Sequence, residues 1–338
     1  EERAKGVISC SAGNHAQGVA LAATSMGIKS VVCMPDGAPL MKVESTKRLG
    51  AQVELVKGTY DDAHDRAVEL QKETGMTFIH PYDDELVIAG QGTLGLEILG
   101  DLPTADVVIV PAGGGGLLAG VAACIKQINP RIKVIGVQAE GANAIAQSFR
   151  EKKYISTDSV STIADGIAVK APGDITVELI NRYADDVVTV NDNEISEAIL
   201  LLMERCKQIV EPSGVTPVAA VLKGKVDVKG KKVVCLLSGG NIDVSFIQCI
   251  IAQGLVARNR RLKFTATLLD KPGSLVKLLN AIAAQGANIL TVEHDRLSAG
   301  LTPNQTNVHI ACEVGGKEHG ERLLRALGDK GFKISLNY

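Results

Sequence analysis

Short apolar runs alternate with longer amphipathic or small-residue segments along most of the chain. The short runs are rich in valine and isoleucine and predict buried strands, and the longer segments predict helices. Strands that alternate with helices at this spacing are typical of βαβ units and a parallel sheet. The predicted strands are 7–9, 31–34, 53–56, 77–80, 107–110, 133–137, 187–190 and 233–237, and the predicted helices are 19–26, 42–49, 60–74, 85–99, from about 117, 176–182, 194–207 and 215–222.

The pattern predicts three domains. Residues 1–96 form a small α/β lobe, residues 97–256 form a larger one, and residues 257–261 are a basic linker. From residue 262 the apolar positions follow the order strand, helix, strand, strand, helix, strand, which is the ferredoxin-like arrangement. We therefore expect an α/β protein of two parallel-sheet lobes, with a small βαββαβ domain at 262–338.

The composition excludes several classes of partner. The net charge is −2 and tryptophan is absent, so neither nucleic acid nor a membrane surface is expected as a partner. No apolar run reaches the roughly 20 residues of a membrane span, and no signal peptide is visible. The 7 cysteines include no Cys-x-x-Cys pair, which indicates buried thiols in a reducing cytoplasm rather than a disulfide or zinc framework.

Four consecutive glycines stand between a predicted strand and an apolar helix. A glycine-rich turn that leads into a helix N-terminus presents main-chain N–H groups and a favourable dipole to a phosphate. No Gly-Lys-Ser/Thr follows, so this is not a nucleoside triphosphate loop, and it is a poor dinucleotide fingerprint. The alternative interpretation is a flexible surface loop. The residues are Gly113, Gly114, Gly115 and Gly116, here called the glycine loop.

Two further polar, glycine-containing loops follow predicted strands, at 11–18 and 238–241. Ligands of an open α/β sheet bind outside the carboxyl ends of its strands. Three such loops therefore predict one shared site, whereas each loop alone could be a tight turn.

The three loops together resemble the signatures of the fold-type II pyridoxal-phosphate enzymes. They read Ser-Ala-Gly-Asn-His-Ala-Gln-Gly at 11–18, Gly-Gly-Gly-Gly at 113–116 and Ser-Gly-Gly-Asn at 238–241. Within that group, residues 1–256 are most similar to the threonine dehydratases (threonine/serine ammonia-lyases). Residues 262–338 resemble an ACT domain, a ligand-binding regulatory module. The resemblance implies a two-lobed core that binds pyridoxal 5'-phosphate, followed by a regulatory domain.

The resemblance also implies roles for individual residues. The amides of the glycine loop hold the cofactor phosphate, Asn14 donates to the phenolic oxygen, and Ser238 faces the pyridine nitrogen. A serine cannot protonate that nitrogen as a carboxylate would, which favours β-elimination. Glu211 is a site carboxylate by family position, with a solvated helix-end charge as the alternative. The substrate carboxylate is bound by main-chain N–H groups of Ser11, Ala12, Gly13 and His15.

Three departures from family patterns refine this prediction. Related racemases use a serine as second base where this chain has Ala12, so racemisation is disfavoured. Metal-dependent relatives carry carboxylates where this chain has Gln138 and Ala144, so no metal site is expected, although Glu140 lies nearby.

The third departure concerns the lysine that forms the Schiff base with the cofactor. Its Ser-Phe-Lys-x-Arg-Gly type motif is absent, and Lys5 and Lys29 stand in the wrong context. Residues 1–10 read as the end of a helix followed directly by a strand. We therefore expect that the natural N-terminus and this lysine precede Glu1; the alternative is a catalytically dead chain.

The first turn of the ACT-like domain is the expected effector site. A helix N-terminus there can bind an amino-acid carboxylate, and a purely dimerising module is the alternative. The predicted effector-binding residues are Asp270, Gly273, Ser274 and Asn288.

The expected reaction is deamination of L-threonine to 2-oxobutanoate and of L-serine to pyruvate, regulated by an amino-acid or nucleotide effector. The resemblance implies a homodimer or homotetramer in amino-acid metabolism such as isoleucine biosynthesis, with a catabolic role left open. The alternatives are a non-catalytic amino-acid sensor and a serine racemase-like enzyme. A nucleotide-dependent α/β enzyme is weaker, because no acidic ribose-binding residue follows a Gly-x-Gly turn.

Overall fold

A computed structural model of the chain describes residues 2–336. It separates into two compact units, Glu1–Ile242 and Asp243–Tyr338. This division lies upstream of the predicted linker, because helix α11 (Val244–Ala257) contacts the first strand of the C-terminal unit and groups with it. In residues 2–336, no helix combines the length and apolar character needed to cross a membrane.

The first lobe of the N-terminal unit is a parallel sheet with strand order β3-β2-β1-β4. Alternate residues of β2 face opposite sides of this sheet. Val31 and Cys33 pack with residues of α4, whereas Val32 and Met34 pack with residues of α2. The elements are α1 (Glu2–Lys5), β1 (Val7–Cys10), α2 (Asn14–Ser25), β2 (Ser30–Pro35), α3 (Leu40–Arg48), β3 (Gln52–Val56), α4 (Tyr60–Thr74) and β4 (Thr77–Phe78).

The second lobe is also a parallel sheet, with strand order β7-β6-β5-β8. Every residue of β5 is buried, so its carboxyl end carries the glycine loop from the middle of the lobe. The elements are α5 (Glu85–Asp101), β5 (Val107–Pro111), α6 (Gly116–Ile128), β6 (Lys133–Ala139), α7 (Ala144–Glu151), α8 (Asp174–Tyr183), β7 (Asp186–Val190), α9 (Asp192–Arg205), α10 (Thr216–Leu222) and β8 (Val233–Cys235), with single 3₁₀ turns at Glu140–Ala142 and Asp165–Ile167.

The two parallel sheets confirm the predicted α/β core. Helix α4 has the predicted bounds, because Thr59 and Asp62 form a capping box at its start and Gly75 ends it in the left-handed region, with φ 69°. Helix α2 begins at Asn14, so the prediction of a loop as far as residue 18 was wrong. The helix tolerates Gly18 in its interior, and only residues 11–13 form the turn. The short helix α7 was not predicted.

The C-terminal unit contains an antiparallel sheet with strand order β10-β11-β9-β12. Its strands and helices follow the predicted order strand, helix, strand, strand, helix, strand. Phe264 is fully buried and packs with residues of both helices that follow β9 and β11. Besides α11, the elements are β9 (Arg261–Leu269), α12 (Ser274–Ala283), β10 (Asn288–Asp295), β11 (Gln305–Glu313), α13 (Lys317–Asp329) and β12 (Lys333–Leu336).

Candidate active site

A cavity of about 1260 Å³ lies in the N-terminal unit, where the three glycine-containing loops converge. The convergence confirms that strand ends of both lobes meet at one place, as expected for open α/β sheets. Every predicted site residue of this unit lines the cavity: Ser11, Ala12, Gly13, Asn14, His15, Gly113, Gly114, Gly115, Gly116, Glu211 and Ser238. Their individual roles stay predictions.

The first loop leads directly into helix α2. Gly13 N donates to Ser11 Oγ over 3.2 Å, and Gly13 precedes the first turn of the helix. The helix dipole therefore places positive potential at this edge of the cavity. His15 Nε2 lies 3.1 Å from Ile79 O, and burial lowers the pKa of His15, so its ring is neutral near pH 7. His15 therefore adds no fixed charge to the positive potential of the helix N-terminus.

The glycine loop has no room for side chains. A Cβ on Gly114 would lie 2.4 Å from Cγ of Tyr82, and one on Gly115 would lie 2.8 Å from the Thr176 side chain. Gly115 also has a φ of +102°, which disfavours any side chain. The sequence predicts that glycines stand here because an anion approaches the main chain closely. The structure shows a second reason, which is close packing against Tyr82 and Thr176.

The glycine loop presents unpaired hydrogen-bond donors. Within residues 2–336, the N–H groups of its four glycines have no protein acceptor. Three of the four residues are buried, and an unpaired buried N–H is costly. A phosphate group with several acceptor oxygens fits this donor set, so the loop fits the phosphate of pyridoxal 5'-phosphate.

Two carbonyl groups of the loop point to protein donors instead. Gln138 Nε2 donates to Gly113 O over 3.3 Å, and Thr176 Oγ1 donates to Gly114 O over 2.7 Å. Gln138 is fully buried, and its Oε1 accepts from Ala146 N over 2.8 Å. The residue where metal-dependent relatives are expected to carry a carboxylate therefore supports the glycine loop.

Glu211 connects the first and third loops. Its Oε1 accepts from Asn14 Nδ2 over 3.0 Å, and its Oε2 accepts from Asn241 N over 2.9 Å. Glu211 is only 3% exposed, and this burial raises the pKa of its carboxyl above the ordinary value of 4.5. Asn14 uses one N–H for Glu211, so its second N–H can donate to a ligand.

Two lysines line the cavity, and both face acidic residues. Lys42 Nζ donates to the Asp165 carboxylate, and Lys170 Nζ lies 3.8 Å from Asp61 Oδ2. Neither lysine stands in the Schiff-base motif. The Schiff-base lysine expected before Glu1 lies outside the described residues and stays a prediction.

Sequence reasoning missed Tyr82, Asp83 and Thr176, which support the glycine loop from behind. A signal for the first two was available, because a polar run from His80 to Asp84 follows strand β4 as a fourth strand-end loop. Thr176 gave no signal, because it stands in the first turn of a helix whose partner is distant in sequence.

The predicted effector residues lie in the C-terminal unit. Asp270 accepts from Arg296 Nε over 2.7 Å and from Arg296 Nη2 over 3.2 Å. Gly273 precedes α12 with a φ of +84°, Ser274 begins that helix, and Asn288 begins β10. This is the predicted turn at a helix N-terminus, and effector binding there stays a prediction.

Two parallel-sheet lobes with strand-end loops around one cavity define an α/β protein with a site that fits a small anionic ligand. Comparison with known proteins identifies the ligand class. Residues 1–239 match the family described as pyridoxal-phosphate dependent enzyme, and the chain belongs to this family. Pyridoxal 5'-phosphate is its cofactor, and the chain is a pyridoxal-phosphate dependent lyase.

Individual relatives extend this finding. The chain is 47% identical to an L-threonine ammonia-lyase of Thermotoga maritima over 336 residues, which cover 99% of this chain and 84% of that protein. It is 48% identical to the catabolic L-threonine dehydratase TdcB of Staphylococcus aureus over 258 residues, 75% of each chain.

Solved structures show the same core. The processed threonine deaminase isoform 2 of Solanum lycopersicum superposes with a TM-score of 0.71 at 38% identity, over 74% of each chain. A maize serine racemase superposes with a TM-score of 0.70 at 36% identity, over 76% of this chain and 79% of that one.

Proposed function

We propose that this protein deaminates L-threonine to 2-oxobutanoate and ammonia, and L-serine to pyruvate and ammonia. One observation carries the proposal: three loops from two lobes converge on one cavity, and the glycine loop among them offers it unpaired main-chain donors. The names of the relatives support threonine as the substrate. When bound, pyridoxal 5'-phosphate supplies the electron sink for negative charge at the substrate α-carbon.

The chain's own residues orient both ligands in this proposal. The glycine loop binds the cofactor phosphate, and Asn14, held by Glu211, donates its second N–H to the phenolic oxygen. The substrate carboxylate is bound at the N-terminus of α2 by main-chain N–H groups of residues 11–15. Ser11 N and Gly13 N already donate to Cys33 O and Ser11 Oγ, so the groups left for the substrate are those of Ala12, Asn14 and His15. The base that removes the substrate α-proton is the Schiff-base lysine that the resemblance implies.

Two residues favour elimination over competing reactions. The Ser238 hydroxyl cannot protonate a pyridine nitrogen, which limits the lifetime of a carbanion and so favours elimination over transamination. The Ala12 methyl group cannot deliver a proton to the opposite face of the α-carbon. A racemase with the same core is among the similar structures, so the test below separates the two reactions.

The test uses the natural full-length protein with cofactor in excess. L-threonine and L-serine are supplied separately, and both 2-oxo acid release and the enantiomers of the remaining amino acid are measured. We expect 2-oxobutanoate and pyruvate, with no D-enantiomer above the control. D-serine without pyruvate would overturn the proposal in favour of a racemase. Bound amino acid without any turnover would favour a sensor.

We further infer that the C-terminal unit is a regulatory ACT-like domain that binds an amino-acid or nucleotide effector. Its strand and helix order and the turn at Asp270, Gly273, Ser274 and Asn288 support this.

We also propose that the protein assembles as a homodimer or homotetramer. Titration calorimetry with single amino acids and nucleotides tests the effector, and ultracentrifugation tests the assembly. Saturable effector binding that survives Ser274→Pro and Asp270→Ala would overturn this placement.

A further inference from the structure

The carbonyl groups of the glycine loop determine where its donors point. A peptide unit is planar, and in the trans form its C=O and N–H point in opposite directions. Fixing Gly113 O therefore fixes the N–H of Gly114, and fixing Gly114 O fixes the N–H of Gly115. No cis peptide bond occurs in residues 2–336, so this geometry applies throughout the loop.

Thr176 fixes the second of these peptide units. Its hydroxyl lies 2.7 Å from Gly114 O and 3.0 Å from Gly173 O. Its single proton is therefore shared between these two carbonyl oxygens, with the shorter bond to Gly114 O. Gly173 N donates to the same Gly114 carbonyl over 3.3 Å. Thr176 is fully buried, so water does not compete for this bond.

Asp83 fixes Thr176 in turn. The two carboxylate oxygens of Asp83 each accept one main-chain N–H from the first turn of α8, from Asp174 over 3.2 Å and from Thr176 over 3.2 Å. A carboxylate at a helix N-terminus also interacts favourably with the helix dipole. Asp83 N itself donates to His80 Nδ1 over 2.7 Å, which fixes the main chain from which the carboxylate extends.

We propose that Asp83 and Thr176 are positioning residues for cofactor-phosphate binding: Asp83 anchors the N-terminus of α8, and Thr176 aligns the peptide units of the glycine loop with the phosphate. This inference rests on the proposed placement of the phosphate at that loop. Gln138 performs the equivalent task for Gly113 O. Neither Asp83 nor Thr176 lines the cavity, and both act through the loop that binds the phosphate. Their effect is therefore expected on the part of cofactor affinity that the phosphate supplies.

The test compares two ligands that differ only by the phosphate. Apoprotein of the natural full-length chain is titrated with pyridoxal 5'-phosphate and with pyridoxal. The readout is the dissociation constant of pyridoxal divided by that of pyridoxal 5'-phosphate, so a high ratio means a preference for the phosphorylated ligand. Thr176→Val keeps the shape but removes the hydroxyl donor, and Thr176→Ser keeps the donor. We expect Thr176→Val to lower the preference for the phosphorylated ligand about threefold to tenfold, and Thr176→Ser to restore it.

A matched pair of helix caps controls for general stability. Asp83→Ala removes the cap of α8, whereas Asp84→Ala removes that of α5, where Asp84 Oδ1 accepts from Leu86 N and Val87 N. We expect Asp83→Ala to lower the ratio and Asp84→Ala to leave it unchanged. An equal reduction in both variants would overturn the inference, because the effect would then follow stability alone.

The outcomes also separate this inference from the proposed function. A wild-type protein that binds both ligands equally would overturn the placement of the phosphate at the glycine loop. A wild-type preference that survives Thr176→Val and Asp83→Ala would overturn only the positioning role.

Discussion

Two turns of this molecule share a local design but differ in their surroundings. The glycine loop and the turn before α12 both place a left-handed glycine at a helix N-terminus, Gly115 with φ +102° and Gly273 with φ +84°. A Cβ on Gly115 would meet Thr176 at 2.8 Å, whereas a Cβ on Gly273 would meet nothing within 4 Å. The first turn is packed from behind and the second is open.

The polar groups around the two turns differ in the same way. The carbonyls of Gly113 and Gly114 are held by buried side chains, and the N–H groups are left for a ligand. Beside the second turn, Asp270 is engaged by Arg296, whose side chain is 62% exposed. A glycine turn at a helix N-terminus thus becomes a rigid anion site where buried neighbours fix its peptide planes.

The largest expected effect comes from filling the packed turn. Gly114→Ala places a methyl group 2.4 Å from the Tyr82 ring, and such overpacking lowers the free energy of unfolding by about 1–3 kcal/mol. We expect it to abolish cofactor binding measured by absorbance titration. Gly273→Ala should cost about 1–2 kcal/mol through its backbone conformation alone and leave cofactor affinity unchanged.

A double variant checks whether the clash with Tyr82 causes the loss of stability. Gly114→Ala combined with Tyr82→Ala removes the ring that the methyl group meets, so urea denaturation should show part of the stability lost in Gly114→Ala recovered. Equal loss of cofactor affinity in Gly114→Ala and Gly273→Ala would contradict the contrast between the two turns.

A smaller effect is expected from the carboxylate between the first and third loops. Because burial raises the pKa of Glu211 in the folded state, that state holds the proton more tightly than the unfolded chain does. Stability therefore falls as pH rises from the ordinary value of 4.5 through the raised pKa. We expect Glu211→Gln to remove this slope from denaturation curves measured at successive pH values.

The exposed Glu140 provides the control for this measurement. Glu140→Gln should leave the slope in place. A slope that persists in Glu211→Gln would show that another group titrates and that Glu211 is not the buried acid of the cavity.

The smallest effect is expected at the open turn. The ion pair with Arg296 lowers the pKa of Asp270, so its stabilisation is present above the ordinary value of 3.8 and is lost as pH falls through the lowered pKa. Both side chains reach solvent, so salt screens the pair. Arg296→Ala should lower the midpoint of thermal unfolding slightly at low salt. It should leave the midpoint unchanged at 1 M salt, where the Debye length is only about 3 Å. A large loss of thermal stability that does not depend on salt would show that this turn is rigid like the glycine loop.

The sequence predicts the fold where local signals and burial agree. Strand β5 and helix α4 are well predicted, because a valine-rich run and a capping box act over a few residues. Helix α2 was placed too late, since Gly18 was taken as a turn residue although packing of Ala16 and Ala20 stabilises the helix around it.

The members of the site were predictable, but their supports were not. Loops at strand ends converge by the topology of open sheets, so their residues could be named from the sequence. The contact from Glu211 to Asn14 spans 197 positions, and that from Thr176 to Gly114 spans 62. Nothing in the local pattern encodes such contacts, because the first depends on how the two lobes pack and the second on how α8 packs within its lobe.

The most direct measurement is a crystal structure of the natural full-length protein with pyridoxal 5'-phosphate bound. The account predicts phosphate oxygens at hydrogen-bonding distance, about 2.7–3.2 Å, from main-chain nitrogens of the glycine loop, with Thr176 still on Gly114 O. A phosphate bound instead by the cavity lysines Lys42 or Lys170, with the glycine loop facing solvent, would contradict it.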